Sequence, residues 1–164
     1  MHKTPLCTGL LAALTATAQA GPLELHGMGI SRDLSCNGQD VDITGNASQI
    51  NLSGQCGVVV VHGSEHEVSL GDAAALEVSG VDNQVRAGTL GRLVVATGGN
   101  RIHATLQAKK PPAEVEVTGS ENVLELQFDG PAKVDVSGVE HQLHWRGQEP
   151  VIETTGSGHR IERR

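Results

Sequence analysis

Aromatic residues are almost missing from this chain: one Trp, one Phe and no Tyr. Without aromatic platforms there is little for nucleobases to stack on, and little to line a sugar-binding groove. Basic residues are also in the minority, with 12 Lys and Arg against 19 Asp and Glu. An acidic chain repels phosphate backbones, so nucleic acid is excluded as a partner. Apolar runs are short, and none approaches the length of a membrane-spanning helix. The three cysteines contain no C-x-x-C pair, which argues against a two-cysteine metal or redox site. The nucleophile elbow G-x-S-x-G is absent too, because no glycine stands two residues before Ser157. No cofactor is expected.

The N-terminus has its own character. Lys3 is followed by the small, apolar stretch Leu10 to Ala18 and by Ala18-Gln19-Ala20. This is the pattern of a secretory signal peptide with an A-x-A cleavage site, assigned to residues 1–20. Cys7 lies inside it and is lost on cleavage. The mature chain, 21–164, has 11 basic residues against 19 acidic ones, a net charge of −8. Its length suits a single domain. The expected location is exported: periplasmic or extracellular, in a bacterium.

The dominant feature is a repeated phrase, V-x-V-x-G-x-x-N-x-V-x-L. It runs through Val41-Asp42-Ile43-Thr44-Gly45 to Ile50 and Leu52. It returns in Leu76-Glu77-Val78-Ser79-Gly80 with Asn83 and Val85, and in Val115-Glu116-Val117-Thr118-Gly119 with Asn122, Leu124 and Leu126. Aligned on the glycine, the copies fall at Gly45, Gly63, Gly80, Thr97 (in the glycine slot), Gly119, Gly138 and Gly156. A degenerate copy precedes them at Leu23-Glu24-Leu25-His26-Gly27. The long step from Thr97 to Gly119 holds an insertion, Gln107 to Pro112, whose two prolines predict a protruding loop.

A period of about 18 residues marks a solenoid. Each copy has two short runs of period-two alternation rich in Val and Ile, hence two strands with one buried face each. The alternation slips by one residue at the glycine, which predicts a corner. A third, irregular segment such as Arg146 to Pro150 closes the turn. No rung can bury its own apolar face, so rungs must stack. The predicted fold is all-β: one parallel β-solenoid (β-helix) of about seven rungs, roughly 35 Å tall, with the right-handed form preferred. An antiparallel β-sandwich is the alternative, disfavoured because it needs hairpin turns where the chain repeats one fixed corner. Thr154 and Arg163 occupy apolar slots in the last copy and predict a polar cap.

Cys36 and Cys56 fall at nearly the same place on successive turns. Stacked strands lie about 4.8 Å apart, within the range of disulfide Cα separations. A Cys36–Cys56 disulfide is expected, in keeping with an oxidising compartment.

Four stacked columns are candidate sites. The position three after the glycine reads Ser48, His66, Asn83, Asn100, Asn122, His141, His159. It is expected to be a structural corner ladder of side chains bonding turn backbone; two histidines alone make an incomplete zinc set. The position before the glycine is largely hydroxyl-bearing and resembles an ice-binding stripe, but its companion column is acidic. That companion places Glu116, Asp135 and Glu153 on three consecutive rungs. Like charges on adjacent strands repel, so these three are candidate ligands for a shared divalent cation, against a solvated acidic face. A second acidic column holds Glu65, Asp82, Glu121 and Glu140.

The phrase from Val115 to Leu126 and a cysteine pair one rung apart resemble bacterial domain-of-unknown-function family 3060. Its members are short exported proteins with repeated G-S-N-N-x-V phrases. The resemblance spans most of 33–164. This chain departs from the pattern with His for Asn in three copies and Thr97 for the glycine. The resemblance implies a small secreted β-solenoid and no particular activity. The expected function is a non-enzymatic envelope or extracellular scaffold or binding module. A glycan-acting enzyme and a divalent-cation-binding protein are the alternatives. The partner is unknown, with an envelope component or polysaccharide as the candidate class.

Overall fold

The computed structural model describes residues 21–164; the segment assigned as a signal peptide, with Cys7, lies outside the described residues. The described chain forms thirteen strands joined in one sheet. They are β1 (Leu23–Met28), β2 (Ser31–Ser35), β3 (Val41–Asn46), β4 (Gln49–Ser64), β5 (Glu67–Val81), β6 (Gln84–Gly98) and β7 (Arg101–Leu106). Then follow β8 (Ala113–Ser120), β9 (Val123–Phe128), β10 (Ala132–Val139), β11 (Gln142–Gly147), β12 (Val151–Ser157) and β13 (Arg160–Arg163). Every strand pair is parallel. That excludes the antiparallel sandwich.

The pairs form two ladders. One runs through β1, β3, the later halves of β4, β5 and β6, and then β8, β10 and β12. The other runs through β2, the earlier halves of β4, β5 and β6, and then β7, β9, β11 and β13. The molecule is therefore a parallel β-solenoid of about 8 turns. The extra turn over the expected seven is the degenerate copy: Leu23 pairs with Val41 and Gly27 with Gly45, in full register.

The apolar alternation becomes continuous buried columns. Val41, Val59, Leu76, Leu93, Val115 and Val134 stack in the first ladder and are all at most 2% exposed. Ile50, Val68, Val85, Ile102, Leu124 and Leu143 stack in the second. The third side differs from expectation. In the middle rungs β4, β5 and β6 run across it, and Cys56, Ala73, Leu90, Leu106 and Phe128 pair in sequence as a third buried column. Alternation there is broken by register shifts between Leu52 and Gln55 and between Arg86 and Thr89, which hides the segment from a period-two reading. The insertion at 107–112 forms no strand and leaves the stack as a loop.

The corner has a steric cause. Gly80 and Gly138 have φ of 141° and 127°, and a Cβ on either would lie 1.8 Å or 2.0 Å from the carbonyl oxygen of the corner glycine one rung below. Close stacking of corners thus needs the missing side chain as much as the backbone angle. Thr97 enters the slot at φ 76°, its Oγ1 accepting the Gly80 N–H at 2.8 Å.

Candidate functional site

The corner column is a continuous hydrogen-bonded ladder. From Ser48 to His141 each member is at most 2% exposed. The Ser48 N–H donates to His66 Nδ1 at 3.3 Å and the His66 N–H to Asn83 Oδ1 at 3.0 Å. Asn83 N–H bonds Asn100 Oδ1 at 3.1 Å, and Asn100 N–H bonds Asn122 Oδ1 at 3.0 Å. Asn122 and His141 N–H groups then reach the Nδ1 atoms of His141 and His159 at 3.3 Å and 3.4 Å. Each histidine and asparagine side chain of the column therefore satisfies a backbone donor that the corner removes from the sheet.

The other end of each side chain is engaged as well. Asn83, Asn100 and Asn122 amides donate to the carbonyls of Gly63, Gly80 and Thr97 at 3.0, 2.9 and 3.0 Å. His66, His141 and His159 Nε2–H groups donate to the carbonyls of His62, Ser137 and Thr155 at 3.2, 3.1 and 3.1 Å. These contacts fix the tautomer: Nδ1 accepts and Nε2 carries the proton. His141 and His159 stack with ring centroids 5.2 Å apart and 3° between planes. Neither ring nitrogen of the pair has a free lone pair to offer a metal. Burial pushes the His141 imidazole below its ordinary pKa, and the facing His159 adds to this.

The acidic column lies where the repeat places it: Glu116 pairs with Asp135, and Asp135 with Glu153. Its charge is balanced by two basic side chains from the neighbouring column. Arg92 lies 3.9, 3.5 and 3.7 Å from Glu77, Glu114 and Glu116. Lys133 Nζ is 3.5 Å from both Asp135 and Glu153, and these carboxylates, Asp135 foremost, hold its ammonium above the usual lysine pKa. An amine and a guanidinium thus sit beside the carboxylates where a shared cation would have to bind. Neither base is noticed when columns are read singly, because each acts across a diagonal between rungs.

The second acidic column has a backbone identity. Glu65, Asp82, Glu121 and Glu140 have φ between 55° and 59°, in register with Gly29, Gly99 and Gly158. Their carboxylates project from a left-handed turn residue rather than from a strand.

Cys36 and Cys56 form the expected disulfide between the first and second rungs, with Cα atoms 4.9 Å apart. One row escaped the column reading altogether. Six residues after each corner glycine, the last four rungs carry His103, Glu125, His144 and Glu162 in register. Tabulating that position across copies would have exposed the alternation of imidazole and carboxylate.

Fold and surface define a parallel β-solenoid of stacked, nearly identical rungs. A family model described as Protein of unknown function (DUF3060) matches residues 43–100, which bears out the family resemblance carried by the repeated phrase. The matched stretch runs from the second rung into the fifth. No curated protein and no solved structure matches the chain.

Proposed function

We propose that this is an exported, non-enzymatic β-solenoid serving as a scaffold or binding module of the bacterial envelope or extracellular space. The carrying observation is the in-line arrangement of the outer face. Glu116, Asp135 and Glu153 hold one lateral position on the last three rungs, each beside Arg92 or Lys133. Such a face offers charge at the spacing of the strands and suits an extended, repetitive partner such as an envelope polysaccharide. The Cys36–Cys56 bridge supports export, since a reducing cytosol opens such bonds. No helix among the described residues is long and apolar enough to cross a membrane.

The competing glycan-cleaving reading needs a carboxylic acid kept protonated in a secluded apolar setting. Glu116 and Asp135 have side chains 53% and 44% exposed and lie beside Arg92 and Lys133. Co-sedimentation with purified envelope polysaccharide tests the proposal. The protein is expected to pellet with the polymer, to release no reducing ends, and to lose binding when Lys133→Glu reverses charge on the face. Release of reducing ends that disappears with Glu116→Gln overturns it in favour of an enzyme. Failure to pellet with any envelope polymer overturns the choice of partner.

A further inference from the structure

The outer side of the second ladder is basic over its later rungs, although the chain as a whole is acidic. Arg86, Arg101, Arg146 and Arg160 are exposed on β6, β7, β11 and β13, and Arg164 follows β13. The carboxylates among them are Glu67, Glu125 and Glu162. Arg86 Nη1 is 3.5 Å from Glu67 Oε1, Arg164 Nη1 is 3.3 Å from Glu125 Oε1, and Arg160 Nε is 2.7 Å from Glu162 Oε1. Each carboxylate is thus matched by a guanidinium, and Arg101 and Arg146 are left over. Among the described residues neither forms an ion pair. Asp82 and Glu121 border a separate hollow beside Arg101, beyond ion-pair distance.

The shape of this surface is independent of its charge. Arg101 borders a hollow of about 430 Å3 with Arg86, His103 and Glu125. Arg146 borders one of about 60 Å3 with Arg164, His103 and Glu125. Through the shared residues the two hollows make one concave track. Arg101 pairs with Val123 and Val123 with Gln142, so Arg146 lies two rungs on from Arg101 and four residues further along the strand. At about 4.8 Å per rung and about 3.3 Å per residue, the two positions are about 16 Å apart on a diagonal. No small anion reaches both. The Arg164 N–H bonds the Trp145 carbonyl at 2.8 Å, which sets Arg164 beside Arg146 on adjacent rungs. Like charges so placed repel, and an anion between them relieves the repulsion.

We propose that this track binds an acidic polysaccharide, whose uronate carboxylates meet Arg101 and Arg146 in turn. A guanidinium takes a carboxylate through two parallel hydrogen bonds, and a polymer that carries carboxylates at intervals can serve both arginines at once. Other macromolecules fit less well. Protein interfaces are built on aromatic residues and Met, and helices that lie on membranes insert apolar side chains. Here the exposed large apolar residues Met28, Val81, Val139 and Val151 all pair within the first ladder. Trp145 is only 8% exposed, so recognition rests on charge rather than on ring stacking. The acidic first ladder does not cancel the attraction, because at physiological ionic strength charges more than about 8 Å apart are largely screened. The inference does not rest on the first-ladder face invoked for the scaffold role.

The test is binding of the untagged protein to immobilised polygalacturonate by interferometry. Dextran serves as the neutral polymer, polyglutamate as the acidic peptide, and phosphatidylglycerol vesicles as the anionic membrane. Micromolar binding to polygalacturonate is expected, with none to dextran and weaker binding to the other two. Raising ionic strength from about 0.01 M to about 0.15 M shortens the screening length from about 30 Å to about 8 Å and should weaken it. Arg101→Gln and Arg146→Gln alter exposed side chains, and circular dichroism checks that each variant is folded. Each should weaken binding about tenfold or more, as expected for a lost hydrogen-bonded charge. Lys133→Gln removes the same charge from the first ladder and should leave binding unchanged, which separates this track from the scaffold face. Absence of binding at low salt overturns the proposal, as does equal weakening by Lys133→Gln or wild-type affinity in the folded double variant. Polyglutamate or vesicles bound as tightly as polygalacturonate overturn the choice of a polysaccharide.

Discussion

A single residue type sets the approach of one rung to the next. At Gly138 a methyl group meets the Gly119 carbonyl at 2.0 Å while the backbone holds φ at 127°. Gly138→Ala therefore combines a clash with a conformation that L side chains avoid, and should cost about 3 kcal/mol in urea unfolding. Asn100 is constrained by hydrogen bonding instead. Its Oδ1 accepts both the Asn83 N–H and the Asn83 side-chain amide, each at 3.1 Å. Asn100→Ala leaves buried donors unpaired on the rung below and the Gly80 carbonyl short of one partner. A loss of about 3 kcal/mol or more is expected, read as a lower urea midpoint with unchanged slope.

At the scale of elements, inward and outward faces of one strand should respond unequally. Val117 on β8 is 1% exposed in the core, and Val117→Asp should cost about 4 kcal/mol or unfold the protein, since the new carboxylate has no partner. Glu116, its neighbour, faces out toward Arg92, and Glu116→Thr should change the melting temperature little. Equal damage from both would show that the faces are misassigned. The ladder adds a pH response. His141 has its pKa lowered in the fold, chiefly by burial, so below about pH 6.5 the unfolded chain binds more protons than the native one. Its stabilising contribution is complete above that pH and declines as pH falls toward the native pKa. His141→Asn keeps an acceptor at the same position, as Asn122 does one rung below, and should flatten the decline in melting temperature between pH 6.5 and 5. An unchanged slope would mean that other groups dominate the acid response. The terminal rungs end the stacking: Thr154 stands in the inward column, and Arg163 lies over the Trp145 ring at 5.1 Å, so a charge covers the last apolar layer.

For the whole molecule, the disulfide is a local fastening. It joins the first rung, whose Leu23, Leu25, Ile30 and Leu34 are only partly buried, to the fully buried second. The chain-entropy model gives such a short loop about 3 kcal/mol. In a stack where each rung contacts only its neighbours, reduction should act near the bond. Hydrogen exchange after reduction is expected to rise in β1 and β2 and to stay slow in β8 through β11. Uniform acceleration along the chain would instead mark the protein as one cooperative unit. Mass spectrometry of the unreduced protein, produced in an oxidising compartment, should show the Cys36–Cys56 bridge, and two free thiols would contradict it.

The repeat by itself determined the parallel solenoid, the inward columns, the corner ladder and the cysteine pairing. Each follows from chemistry that recurs at a constant offset, and a constant offset in a stack means a constant place in space. Val115 and Val134, or Asn83 and Asn100, need no coordinates to be put one above the other. The tertiary structure decided what lies on diagonals or depends on which way a side chain turns. Arg92 and Lys133 neutralise carboxylates from an adjacent column, the ladder histidines accept at Nδ1 because a backbone N–H points there, and Arg164 reaches Glu125 from the last rung. The third buried wall was hidden for a related reason: register shifts interrupt its alternation, and only pairing between rungs restores it. Periodicity carries position along and around the stack, whereas rotamers, tautomers and diagonal contacts are set by neighbours brought together only when the rungs are assembled.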